Sequence, residues 1–139
     1  MSKAKEFLSK IIESKSELGQ CYQLAYQAIT GSMNDWTLVH GIATLTGGPK
    51  RGKQFGHAWL EKGNQVYDPS TDQYVNKDKY YRVGQISYTK KYSFKEVLDK
   101  VLETGHYGPW DKKIWDIDNK GKKEGVVMSK AKGLLKLIE

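Results

Sequence analysis

Apolar positions along the chain fall into two periods. Ala4, Phe7, Leu8, Ile11 and Ile12 recur at i, i+3, i+4, i+7, i+8 and predict an amphipathic helix over residues 2–17, with Ser2 as its N-cap. Gly19 interrupts that segment. A second helix is predicted from Gln20–Cys21 to about Thr30, closed by Gly31, with Leu24, Ala25, Ala28 and Ile29 as its stripe. Cys21 lies three and four residues before Leu24 and Ala25, so it shares their inward face at the first turn.

The period then changes. Residues 36–46 are rich in β-branched side chains and read as a strand. A basic, turn-rich loop follows, Gly47-Gly48-Pro49-Lys50-Arg51-Gly52. Phe55 to Glu61 and Gln65 to Asp68 read as two short strands around a Lys62-Gly63-Asn64 turn, and Tyr80 to Thr89 as another strand. Residues 93–104 read as a helix. Ser93 is its N-cap, Glu96 completes a capping box, Tyr92 and Val97 form a hydrophobic staple, and Gly105 ends it. Residues 106–125 show no period. From Val126 a last helix is predicted on Val127, Ala131, Leu134, Leu135 and Ile138. The run Met1-Ser2-Lys3-Ala4-Lys5 recurs as Met128-Ser129-Lys130-Ala131-Lys132, two copies being too few for a repeat architecture.

Composition narrows the class. At 139 residues the chain has the length of one domain, and 38% hydrophobic with 28% charged residues places it among folded proteins rather than disordered or fibrous ones. No window approaches 18 consecutive apolar residues, so no membrane span is expected. The N-terminus lacks the apolar run and cleavage site of a secretory signal. A single cysteine cannot form an internal disulfide. These features together read as a cytoplasmic protein at synthesis. The net charge is +7, but the lysines are spread and no helix carries them on one dedicated face, which reads as a solvated basic surface. No helix-turn-helix, zinc-finger or RNA-recognition signature supports nucleic-acid binding. Tyr107, Trp110 and Trp115 could stack bases, with core packing as the plainer reading. One Cys and three dispersed His show no metal-ligand spacing, and no cofactor is implied.

The chemistry starts from the only cysteine. At a helix N-terminus, unpaired N–H groups and the positive dipole end favour a thiolate at Cys21, and the same N–H groups could hold an oxyanion. A thiolate needs a base or an ion-pair partner. Of His40, His57 and His106, only His57 has a third group placed to orient it. A two-residue turn at Lys62-Gly63 sets His57 directly across from Asp68, with Cβ atoms about 4.5–5.5 Å apart. A carboxylate there accepts from one ring nitrogen and leaves the other for sulfur, the triad logic with Cys as nucleophile. An odd-length turn would shift this register, and Asp72 and Asn64 are alternative orienters. Trp59 shares the His57 face and would either wall the site or pack in the core. Glu61 reads as a surface residue, His40 as a satisfied core or edge histidine, and His106 as a group following a helix end.

These residues resemble a known group. Gly19-Gln20-Cys21-Tyr22 with Ala25 is similar to the nucleophile segment of the transglutaminase-like group. His57-Ala58-Trp59-Leu60-Glu61 resembles its His-Ala-Trp-x-Glu strand, and Val66-Tyr67-Asp68-Pro69-Ser70 its strand ending in Asp-Pro-Ser or Asp-Pro-Thr. The order Cys, His, Asp matches, at spacings of 36 and 11 residues, and the resemblance covers about residues 18–70. It implies a single α+β domain over residues 1–139 with a papain-like fold: a helix bearing Cys packed on an antiparallel sheet bearing His and Asp. It also implies Cys21 as nucleophile, His57 as general base and then acid, and Asp68 as the residue that fixes the imidazole. The Cys21 N–H is then the first oxyanion donor, with Gln20 as the candidate for a second.

The expected activity is acyl transfer at amide bonds of a protein or peptide substrate through a Cys21 thioester. Water as acceptor would make the enzyme a peptidase, amidase or deamidase, and an amine would make it a transglutaminase. The alternative is a catalytically idle module of the same fold that contacts a protein partner.

Overall fold

The apolar density of Leu38–Ala43 and Phe55–Leu60 exceeds what a half-buried strand needs, and the computed structural model buries both strands on both faces. It describes residues 20–123. The helix expected over 2–17, the last helix from Val126 and the repeated Met-Ser-Lys-Ala-Lys run lie outside these residues. The described residues form an α+β fold in the order α1 (Cys21–Thr30), β1 (Thr37–Thr44), β2 (Gln54–Lys62), β3 (Gln65–Asp68), β4 (Gln73–Asn76), α2 (Lys77–Val83), β5 (Tyr88–Tyr92), α3 (Phe94–Thr104) and α4 (Lys112–Lys123). The five strands make one antiparallel sheet ordered β4-β3-β2-β1-β5.

The sheet carries a core on each face. Leu38 pairs with Leu60 and His40 with Ala58, whereas Val39 pairs with Trp59 and Gly41 with His57, so alternate pairs point to opposite sides. Leu38, Ala58 and Leu60 pack with Cys21, Tyr22, Ala25 and Ile29 of α1 and Val97 of α3. Val39, Ala43, Phe55, Trp59 and Val66 pack with Tyr80 of α2. α4 lies against β2 and β1.

The β2–β3 turn is Gly63-Asn64 rather than Lys62-Gly63, and Gly63 takes φ +59°, the left-handed conformation that primed hairpin turns favour. Pairing runs Leu60↔Tyr67, Glu61↔Val66, Lys62↔Gln65. The register is thus slipped by two residues from the expected one. Because side chains alternate with period two, a slip of two leaves every residue on its expected face.

Two further readings are corrected. Residues 80–89 are not one strand, since Tyr80 belongs to α2 and β5 starts only at Tyr88. Asn76 caps α2 by accepting from the Lys79 N–H at 3.2 Å, with Asp78 in the first turn and Arg82 in the last, and these polar end signals outweigh the β propensity of the tyrosines. The aperiodic 106–125 segment contains α4, whose Ile114 is fully buried. β4 had no apolar alternation to announce it. The ends of α3 are as expected: Ser93 and Glu96 form the capping box and Gly105 closes the helix at φ +77°, while Tyr92 and Val97 are both buried in one core.

Candidate active site

β3 pairs with β2 only from Leu60 to Lys62, so the first half of β2 outruns its neighbour. The candidate site forms there. Asp68 is the last residue of β3, and His57 lies two residues beyond the position facing it. This diagonal placement still brings the side chains together, and His57 Nε2 meets Asp68 Oδ2 at 2.8 Å.

Asp68 has two further hydrogen-bond donors. Tyr80 donates its hydroxyl to Oδ2 at 2.6 Å, and the Ser70 N–H donates to Oδ1 at 2.9 Å. The side chain is fully buried, so these bonds and the imidazole replace the water it has lost. The strand expected over Tyr80–Thr89 gives Tyr80 no place in the site, and its position on α2 is what brings it to Asp68. The Asn76 cap and Asp78 were the signals that would have placed it on a helix. Asp72 does not orient His57, since its carboxylate accepts the Tyr67 hydroxyl at 2.8 Å. Asn64 is a turn residue whose carbonyl accepts the Lys77 N–H at 2.7 Å.

His57 is buried and its Nδ1 has no hydrogen-bond partner. Burial pushes the imidazole pKa down, but the charge and hydrogen bond of Asp68 outweigh it, and with Cys21 they raise the pKa to about 10. Asp68 thus holds His57 as the imidazolium near neutral pH. Cys21 opens α1 and is fully buried. Burial, the largest influence, raises its thiol pKa, while the nearby imidazolium of His57 lowers it and the Asp118 and Asp68 carboxylates raise it. Cys21 packs with the first core, and the ring neighbours of His57, Phe55 and Trp59, belong to the second.

Gln20 is exposed, and its side chain makes no capping bond at the N-terminus of α1. Trp59 is fully buried and packs its indole on Tyr80. Glu61 is not a surface residue. It is 5% exposed and accepts from the Trp59 indole N–H at 2.9 Å and from the Tyr81 hydroxyl, with Lys77 and Lys91 Nζ at 3.4 and 3.3 Å.

His40 is buried but not satisfied. Both ring nitrogens lack a partner, and the ring is enclosed by Tyr22, Tyr92 and Trp110 at centroid distances of 4.9, 5.3 and 4.9 Å. Burial, with the nearby charge of His57, lowers its pKa to about 3 and keeps it neutral. Trp110 therefore serves the core, whereas Tyr107 and Trp115 are partly exposed at 38% and 45%. His106 is exposed and accepts the Gly108 N–H on Nδ1 at 3.1 Å.

Among the described residues no group of His, Cys, Asp and Glu is arranged to hold a metal, and no helix is long and apolar enough to cross a membrane. No family model, no curated protein and no solved structure matches the chain.

Proposed function

We propose that the chain is a cysteine-dependent acyl-transfer enzyme acting on amide bonds, built as a papain-like, transglutaminase-like domain. One observation carries this reading: Asp68 binds one nitrogen of the buried His57 at 2.8 Å while the other nitrogen has no hydrogen-bond partner, and the only cysteine opens α1.

Two opposed influences act on the thiol. Burial holds it protonated, and the imidazolium favours the thiolate. Hydration of Cys21 removes the first influence and leaves the second, so opening of the site activates the nucleophile. The thiolate then attacks the amide carbonyl carbon, forming an S–C bond, and the Cys21 N–H faces the oxyanion. The C–N bond breaks and the imidazolium proton passes to the leaving amine. Neutral His57 next takes a proton from water or an incoming amine as that group attacks the thioester, and the thiolate departs. Asp68 keeps the ring oriented throughout.

Complete burial of Cys21, His57 and Asp68, at 0%, 1% and 0% exposure, favours a second reading, an idle module that contacts a protein partner. Iodoacetamide labelling followed by intact mass separates the two. Labelling of the native chain at pH 6–7 that is faster than in denatured chain and is lost in His57→Ala supports the enzyme. Labelling slower than in the denatured chain at every pH overturns it and supports the idle module. A pool of peptide amides, with and without a primary amine, then assigns water or amine as acceptor from the product masses.

A further inference from the structure

We infer that Asp118 is a positioning residue for Cys21 and His57, one carboxylate that fastens the residue after the nucleophile to the residue before the histidine. The inference rests on the reading of Cys21 and His57 as an active pair. Asp118 Oδ2 accepts the Tyr22 hydroxyl at 2.9 Å, and Oδ1 accepts the Gly56 N–H at 2.9 Å. Tyr22 follows Cys21 on α1, and Gly56 precedes His57 on β2. The Gly56 bond thus holds the backbone next to His57, and the Tyr22 bond holds the residue next to Cys21 through its side chain. The partners lie 96 and 62 residues from Asp118 along the chain, so no local turn brings them together.

Two features make the joint specific. β3 has ended before it reaches Gly56, and the carboxylate takes up the Gly56 N–H on this stretch of β2. The approach is also too close for any side chain on β2. A Cβ at Gly56 would run into Tyr22 Oη and stand 2.9 Å from Ile114 Cγ2 and 3.0 Å from Asp118 Oδ1. α4 is therefore seated on glycine, with Asp118 facing both halves of the pair.

Besides Cys21 and His57, the titrating groups around this joint are Tyr22 on α1, His40 on β1, Asp68 on β3, Tyr80 on α2 and Asp118 itself. Asp118 has two separable effects: it bridges, and its charge opposes the thiolate. Asparagine keeps the first without the second. Its Oδ1 still accepts from Gly56, and its Nδ2 donates to the Tyr22 oxygen. Alanine removes both.

The test uses the full chain labelled with [3-13C]cysteine, since the Cβ shift of the single cysteine reports thiolate without requiring access to it. The quantity compared is the change in the Cys21 titration midpoint on His57→Gln. In wild type the midpoint should rise by about one pH unit or more, the effect of losing an opposite charge at contact. Asp118→Asn should keep that change while lowering the midpoint itself. Asp118→Ala should shrink the change to less than about a third of it. Tyr22→Phe, which removes one arm, should give an intermediate value and serves where Asp118→Ala does not fold. A folded Asp118→Ala or Tyr22→Phe chain with the full wild-type change overturns the inference alone. No change on His57→Gln in wild type overturns the active-pair reading and the inference with it.

Discussion

Trp59 donates its indole N–H to Glu61, two residues further along the same strand, at 2.9 Å. Residues i and i+2 share a strand face, so the spacing in His-Ala-Trp-x-Glu sets His57, Trp59 and Glu61 side by side. The glutamate in that run is thus a support for the tryptophan, and the tryptophan in turn packs beside the histidine.

Glu61→Ala should destabilise the protein by about 2–4 kcal/mol, because it strands the buried Trp59 N–H and the Tyr81 hydroxyl. Lys77 and Lys91 are 30% and 46% exposed and add little, since water replaces their partner. Urea unfolding measures the change. A loss below about 1 kcal/mol would show that the indole finds another acceptor.

Asp68→Asn should turn His57 from imidazolium to neutral imidazole at pH 7, as burial alone depresses its pKa. 15N NMR of the ring nitrogens reads this directly. The stability sign follows. The folded pKa, about 10, lies above the ordinary value, so the stabilisation is complete below pH ~6.5 and fades as pH rises towards 10. Between pH 7 and 9 the wild type should lose up to about 1.4 kcal/mol per pH unit, and Asp68→Asn should lack that slope.

His40 has the opposite sign. Its folded pKa, about 3, lies below the ordinary value, so its contribution is complete above pH ~6.5 and is lost as pH falls towards 3. His40→Leu should remove up to about 1.4 kcal/mol per pH unit of acid destabilisation across that window. Chemical denaturation at a series of pH values checks it. An unchanged acid slope would mean that the ring gains a partner when protonated.

Gly56→Ala should cost about 1–3 kcal/mol or more by forcing α4 away from β2. Gly47→Ala, where a Cβ meets nothing within 4 Å, should change stability by less than about 1 kcal/mol. Paired thermal melts give the comparison, and equal effects at the two positions would remove the close approach as the cause.

Local signals were legible in the sequence wherever they agreed with the tertiary context. Ser93, Glu96 and Gly105 mark both ends of α3, and the β-branched run marks β1. The face shared by His57 and Asp68 was also legible, although their register was not, because only the position of Gly63 within the turn decides it. Glu61 illustrates the limit for charged residues, since nothing local shows that Trp59 and Tyr81 converge on it. The same holds for Asp118. It stands in a lysine-rich stretch without a period, and its partners come from α1 and β2.

The closed setting of Cys21 also bears on where the chain can exist. A single cysteine ordinarily argues for a reducing surrounding, because a free thiol in an oxidising one is soon converted to sulfenic acid or a mixed disulfide. That conversion needs contact with the oxidant and a thiolate fraction, and Cys21 has no solvent exposure and a pKa raised by burial. While the site stays closed, the lone sulfur is therefore no guide to redox compartment. A molecule that keeps Cys21 closed could pass through peroxide or an oxidising fluid and arrive with its sulfur still reduced.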